Sequence, residues 1–335
     1  MTPLTRANLI TDVPGLSVGH AQDRRIGSGV SVLIFDKPAV ASLAIHGGAP
    51  GLRDSALLEP EMTVETVDAL VLSGGSAFGL DAMGGAMAHL RDIGRGFPVR
   101  DARVPIVPGA VLFDLLNGGD KAWGNEPVYW HLGARAATDA KCDFALGSVG
   151  AGLGATTANL KGGLGSASAV SSSGFIVGAL IVVNALGQAT IGEGPHFWAS
   201  PYEESGEFGG LGWPAIAPQA ATSFRIKGDT PENTTIGIVA TDAALTKAQA
   251  KRLAVMAQDG LAYALRPAHA ALDGDTIFAA ATGTALEPPS LRDLTEIGAL
   301  AAQCVARGIA RAVYEAEALP FADSVPSWKQ KFAGR

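Results

Sequence analysis

Apolar and polar positions along this chain fall into two rhythms. Short apolar runs, ended by turn residues, occupy residues 29–36 (GVSVLIFD), 41–48 (ASLAIHGG), 68–75 (DALVLSGG), 174–187 (GFIVGALIVVNALG) and 234–243 (TTIGIVATDA). These predict strands. Helical spacing predicts helices over residues 77–91, 127–140, 246–263 and 290–317. The third opens with Thr246 and has Gln249 three positions on, so Thr246 is expected to cap it with Gln at N3. Strands and helices do not alternate strictly. A doubly wound parallel sheet is therefore not required, and layered sheets covered by helices fit as well.

Residues 192–233 obey neither rhythm. They are rich in Gly, Pro, Glu and Ser. A loop of ~40 residues inside a compact domain is uncommon, and such loops are functional or mobile. We expect a mobile linker, ending where the strand at Thr234 begins.

Composition narrows the class. The chain has 335 residues, 47% hydrophobic and 17% charged, enough for one large core, so a single domain over 1–335 is expected. Its 43 glycines imply close backbone packing and tight turns. The formal charge is −7, without a Lys/Arg run, which speaks against a nucleic-acid partner. Cys142 and Cys304 are too few for a thiolate metal cluster and read as two reduced core thiols. The N-terminus has no apolar signal core. The longest apolar run, residues 175–186, is too short to span a bilayer. A soluble, cytoplasmic protein with no membrane partner is expected.

Several local patterns carry chemistry. Asn233-Thr234 joins the linker to a strand. A Thr hydroxyl is a poor nucleophile unless a base lies beside it, and a chain-terminal Thr has its own α-amine for that. An internal Thr reaches that state if Oγ attacks the preceding carbonyl, the acyl group shifts from N to O, and water releases the new terminus. Asn-Thr is also ordinary turn chemistry before a strand. Asp273-Gly274-Asp275 precedes another apolar run. Alternation points both carboxylates the same way. Such a pair can hold an ammonium or shift each partner's pKa; Asp-Gly equally marks a hairpin turn. Lys161, in NLKGGLGSAS, lacks phosphate-loop spacing and reads from its neighbours as a solvated Lys on a glycine turn. Gly74-Gly75 lead from a strand into a helix, where backbone N–H groups suit an anion or a carbonyl oxygen; the spacing is not that of a dinucleotide site, and from the residues a plain strand-to-helix turn is the first reading. GLSVGH, around Ser17, matches G-x-S-x-G, but no helix follows, so it is no nucleophile elbow. The six His show no zinc-ligand spacing, and no metal or cofactor is expected.

Taken in order, LITDVPGLSVGHAQD, LVLSGGSAFGLDAMGGAM, GSVGAGLGATTANLKGGLGSAS, LIVVNALGQ, NTTIGIVATDAALTKAQAKRLAVMAQDGLAYALRP and LDGDTIFAAATG resemble the P1-type peptidases. That family holds L-aminopeptidase/D-Ala-esterase, the β-peptidyl aminopeptidases and the nylon-oligomer hydrolase. The resemblance spans residues 8–318, and the N-T-T junction is most similar to the nylon-oligomer hydrolase. It implies an α+β fold, a four-layer α-β-β-α sandwich of the self-cleaving N-terminal-nucleophile type. It further implies a precursor cut into 1–233 and 234–335, and a tetramer of cleaved heterodimers. By motif, Thr234 is the implied nucleophile, Asp273 and Asp275 the acidic pair that positions it and its amine, and Asn184 the oxyanion donor. Lys161 is implied near the nucleophile, and Gly74 and Gly75 in support of the pocket wall. Phe113 stands where relatives tend to have Tyr or Trp at the substrate site, so a hydroxyl donor is absent. The Glu that receives a substrate's free amine is also absent, with Glu126 the candidate replacement. The implied activity is an aminopeptidase or amidase acting on short peptides, amino-acid amides or esters. The alternatives are a hydrolase of ω-amino amide oligomers, an acyltransferase similar to ornithine acetyltransferase, and a non-catalytic binding member.

Overall fold

The computed structural model describes residues 6–216, 218, 223, 226, 227, 233–322 and 324–332. In chain order these form strands β1 (Leu16–Asp23), β2 (Ser28–Ile45), β3 (Gly51–Arg53) and β4 (Thr66–Ser73), helix α1 (Ala82–Asp92), strands β5 (Phe97–Val99), β6 (Ala102–Val104) and β7 (Gly109–Val111), and helix α2 (Tyr129–Thr138). Then come β8 (Gly163–Val170), β9 (Ile176–Asn184), β10 (Thr234–Thr241), α3 (Lys247–Ala257), α4 (Asp259–Ala264), β11 (Thr276–Ala281), α5 (Leu291–Tyr314) and α6 (Trp328–Phe332).

Hydrogen bonding runs β3-β7-β4-β2-β11-β10-β9-β8, with β1 also on β2. Strand β2 joins two layers. Its first half pairs with β1 and β4, its second half with β11. The register slips between Ile34 and Ala39, where Asp36, Lys37 and Pro38 are exposed. Those three polar or N–H-less residues make one long strand read as two in the sequence.

Period-two alternation then sorts side chains into three apolar layers. Val30, Val32, Ala69 and Val71 face α1 and α2. Leu33, Leu43, Leu70, Leu180, Val182, Ile236, Ile238 and Phe278 fill the space between the two strand layers. Val177, Ile181, Val239 and Ile277 face α3, α4 and α5, meeting Leu253, Leu261, Val305 and Ile309. The architecture is the expected α-β-β-α sandwich. No helix among the described residues is long and apolar enough to cross a membrane.

Some local expectations change. Thr246 caps α3 with the reciprocal Gln249 bond, as its spacing predicts, but the helix expected over residues 246–263 is two, meeting at Gln258. The Gln258 side chain is diverted to the Ala44 carbonyl, 2.7 Å away. The Asp-Gly before β11 makes no hairpin, because β11 lies parallel to β10. Cys304 is buried but Cys142 is exposed, which corrects the reading of two core thiols. Strand β8 is built of small residues because α5 lies against it: a Cβ on Gly165 would sit 1.9 Å from the Gly308 carbonyl oxygen.

The first part of the expected linker packs onto the sandwich. Phe197, Trp198 and Phe208 are buried, and Phe197 stacks on Trp328 with ring centroids 5.9 Å apart. Arg307, on α5, pairs with Glu207 at 2.5 Å and with Glu204 at 2.9 Å. Apart from residues 218, 223, 226, 227 and 233, the linker from residue 217 onward lies outside the described residues.

The side chains of Arg307 and Glu207 are only 2% and 8% exposed. Arg307→Met leaves the buried Glu207 carboxylate with only Arg311, at 3.5 Å, and the Asn8 amide, and should destabilise the protein by about 1–3 kcal/mol. A lowered urea midpoint, with new protease cleavage within residues 203–210, is the expected result. Adding Glu207→Gln should recover much of the loss.

Candidate active site

The inner apolar rows of β9 and β10 both end in polar residues at the same edge of the sandwich. On β9 the row Leu180, Val182 ends at Asn184; on β10 the row Ile238, Ile236 ends at Thr234. Thr234 and Asn184 are direct partners across the antiparallel pair. The sheet register therefore brings together two residues 50 positions apart in sequence.

Thr234 and Asn233 are buried. The Thr234 hydroxyl donates to the Asn233 carbonyl oxygen at 2.5 Å. The Gly274 N–H donates to the same oxygen at 3.1 Å. One peptide carbonyl thus has a hydroxyl beside it and a backbone donor on its oxygen, where charge would develop if the carbon were attacked. Unsatisfied groups surround it. Both polar atoms of the Asn233 side chain, and Oδ1 of Asp273, are buried with no hydrogen-bond partner among the described residues. Gly274 escaped the sequence reading, which weighed the D-G-D motif for its acids. A Cβ there would lie 2.9 Å from both Thr234 Oγ1 and the Ala49 carbonyl oxygen.

The two aspartates flank that glycine and do different things. Asp275 accepts the Thr235 N–H at 2.9 Å through Oδ1, and the backbone and ring N–H groups of His269 at 3.0 Å through Oδ2. Asp273 accepts the Ala270 N–H at 3.0 Å, and its backbone bridges to Asn233. Burial, then the charge of Asp275, pushes the Asp273 pKa up to about 6. His269 also went unnoticed in the sequence, where nothing marks a lone His six residues before Asp275.

Asn184 is fully buried. Its Nδ2 donates to the Phe113 carbonyl at 2.9 Å, and its Oδ1 accepts from Thr156 N–H and Lys227 Nζ, each at 3.0 Å. Lys161 is 1% exposed, which corrects the reading of a solvated lysine. Its ammonium is caged by the carbonyls of Gly152, Ala155 and Gly162 at 3.1, 2.6 and 2.8 Å. Burial pushes its pKa down to about 7; Asp114 opposes the shift and Lys227 adds to it.

Two cavities flank Phe113. One, of about 290 Å³, is lined by Thr234 and Asn233 together with Ser76, Ala77, Leu112 and Phe113. The other, of about 350 Å³, is lined by Asn184, Lys161, Lys227, Thr156, Asp114 and Phe113. Lys161 thus belongs with Asn184, across Phe113 from the Thr234 hydroxyl. Gly74 and Gly75 line neither; they set the path of the wall residues Ser76 and Ala77. The Gly75 N–H donates to the buried Asp114 at 2.8 Å, and at φ 87 Gly75 turns the chain where a Cβ would strike the Tyr129 ring. Glu126 is exposed and lines neither cavity. Among the described residues, no group of three or more His, Cys, Asp or Glu is arranged to hold a metal ion.

Comparison with known proteins places the chain in one family. The sequence model of the family described as peptidase family S58 matches residues 8–325. A Mycobacterium bovis protein named as an uncharacterized aminopeptidase is 42% identical over 348 residues, covering 98% of each chain. The 6-aminohexanoate-oligomer endohydrolase of a Kocuria species is 24% identical, covering 83% of this chain and 76% of its own. In three dimensions the chain is similar to the L-aminopeptidase D-Ala-esterase/amidase of Ochrobactrum anthropi, whose structure is described as a variant of the Ntn hydrolase fold. The TM-score is 0.69 and the identity 20%, covering 97% of this chain and 93% of that one.

The Asp273 shift predicts a pH dependence of stability. The carboxyl binds its proton more tightly in the folded chain, at about 6, than at the ordinary 3.8. Its contribution is complete below about pH 4 and is lost as pH rises through about 6. Asp273→Asn is neutral throughout, so its thermal midpoint should gain on wild type between about pH 4 and about pH 7. The gain should correspond to on the order of 2 kcal/mol. A constant difference across that range would contradict the assignment.

Proposed function

The chain belongs to peptidase family S58, and on that premise we propose that it is a self-processing amide hydrolase, cut between Asn233 and Thr234, with Thr234 as the nucleophile of the mature enzyme. That it hydrolyses amide or peptide bonds follows from the family. The proposal adds the cut, the nucleophile and the substrate. The observation that carries it is the Asn233 carbonyl, which receives both the Thr234 hydroxyl and the Gly274 N–H.

In the first step Thr234 Oγ attacks the Asn233 carbonyl carbon, and the oxygen takes up charge against the Gly274 N–H. We assign the hydroxyl proton to Asp273, which is buried and bridges to Asn233. Its pKa of about 6 suits a proton that must be taken and then returned near neutral pH. The C–N bond breaks, the Thr234 nitrogen receives that proton, and an Asn233 ester remains on Oγ. Water hydrolyses the ester, leaving an Asn233 carboxylate and a Thr234 with a free α-amine.

In turnover that amine takes the hydroxyl proton as Oγ attacks a substrate amide. The proton passes to the leaving amine, and water hydrolyses the acyl ester. Asn184, facing Thr234 across the sheet, is the side-chain donor assigned to the oxyanion, exchanging its bond to Phe113. Lys161, with a pKa near 7, repels a neighbouring ammonium only while it is itself charged. It therefore biases the α-amine toward its base form only weakly.

Short peptides, amino-acid amides and esters are the first substrates, as the name of the 42%-identical relative suggests. One feature favours ω-amino amide oligomers as a second class. Among the described residues, the lining of the Thr234 cavity contains no carboxylate to receive an α-ammonium, and the Kocuria relative is named for such oligomers.

Intact mass is the test. Wild type should appear as fragments 1–233 and 234–335, and Thr234→Ala as one uncut chain. Gly274→Ala, whose methyl presses on Thr234 Oγ1, should slow cleavage by at least about tenfold. A wild type that stays whole after long incubation would remove the proposal. If cleavage occurs, release of amine from amino-acid amides and from aminohexanoate oligomers separates the two substrate classes.

A further inference from the structure

A group of titratable side chains lies behind the Asn233 carbonyl, outside both cavities, with Asp275 at its centre. One Asp275 oxygen holds the Thr235 N–H at 2.9 Å; the other holds two donors of His269 at 3.0 Å. His269 brings both donors to one oxygen because its backbone is left-handed, at φ 58, a conformation that Asn also adopts. The Asp275 side chain is 2% exposed and that of His269 23%. The imidazole is therefore the group through which the buried acid meets solvent.

The groups facing His269 come from three neighbouring elements. His46, just past β2, meets it edge to face with ring centroids 5.1 Å apart. Asp273 and Asp275 lie before β11. The Gln258 backbone, at the junction of α3 and α4, accepts from it, and Asp259 acts on the neighbouring His46. Burial opposes charge on His269, but the bond and charge of Asp275, with the Gln258 backbone and the charge of Asp273, together hold its pKa above the ordinary 6.5.

We propose that His269 is a positioning residue for the reactions at Thr234, acting through Asp275: its ring holds the carboxylate that fixes the Thr235 N–H, and it sets a cation beside the acidic pair. The inference rests on the cut between Asn233 and Thr234 proposed above. The Asp275 charge raises the Asp273 pKa, and the charge of His269 opposes that rise. The bond from the Thr235 N–H to the carboxylate held by His269 is charge-assisted. Thr235 follows the nucleophile directly, so loss of that anchor lets the first residue of β10 turn away from the Asn233 carbonyl. A misplacement of ~1 Å costs up to about 100-fold in rate.

The test follows cleavage of the full-length chain by intact mass from about pH 5 to about pH 9, in wild type, His269→Asn and His269→Ala, with thermal melts alongside. Asn keeps a donor near the Nδ1 position and the left-handed backbone but carries no charge; Ala keeps neither donor nor charge. The plateau rate should fall at least about tenfold in Ala and stay within about threefold of wild type in Asn. In both variants the acid limb should move to higher pH, by about half to one unit. A merely structural histidine would leave that limb in place. Cleavage in Ala at the wild-type rate, an unmoved acid limb in Asn, or Asn falling with Ala while melting like wild type would each overturn the inference. If Ala fails to fold, the limb in Asn still decides. A wild type uncut at every pH would instead overturn the underlying cut, and this inference with it.

Discussion

One peptide oxygen organises the site. The Asn233 carbonyl receives the Thr234 hydroxyl and the Gly274 N–H, and both donors depend on strand pairing. Thr234 is fixed because β10 lies between β9 and β11. Gly274 is fixed because the approach to β11 runs parallel to Asn233. The same pairing keeps water from the groups around the bond, so their unsatisfied polar atoms are not solvated. A buried polar group without a partner raises the energy of the state that contains it. In the reading proposed here, breaking the bond relieves part of that penalty.

Each supporting shell serves this carbonyl at one remove. Asp275 holds the N–H next to the nucleophile, and His269 holds Asp275. Asp114 holds Gly75, and through it the turn that builds the wall beside Thr234. Arg307 clips the residues after β9 to α5 through Glu204 and Glu207. Arg307 lies after Thr234 in sequence and its partners before it, so these ion pairs would join the two fragments of a cut chain. The interleaved strands do the same on a larger scale, since β10 sits between strands from both sides of the junction.

Phe113 gives the site its particular character. It separates the cavity of Thr234 from the cavity of Asn184 and Lys161, and it offers no hydroxyl. Its backbone carbonyl instead occupies the Asn184 amide. The apolar wall, and a lining without a carboxylate among the described residues beside Thr234, bear on substrate choice, because those residues offer an entering α-ammonium no counter-charge.

The sequence by itself determined the layered α+β class, the strand at Thr234, the Thr246 cap and the family. Each of these is written in local periodicity, or in motifs whose order survives without coordinates. The family resemblance also pointed to Thr234, Asn184, Lys161, Asp273 and Asp275, but not to how they are shared out. Only the tertiary structure decided that Thr234 faces Asn184, that Lys161 is buried among carbonyls on the far side of Phe113, and that Gly274 rather than its acidic neighbours touches the Asn233 carbonyl. It also decided that His269 stands behind Asp275 and that Glu126 stands apart. The physical reason is that strand register and burial are collective. A residue's partner across a sheet, and whether its charge reaches water, depend on chain segments far away in sequence, which no short stretch of residues encodes.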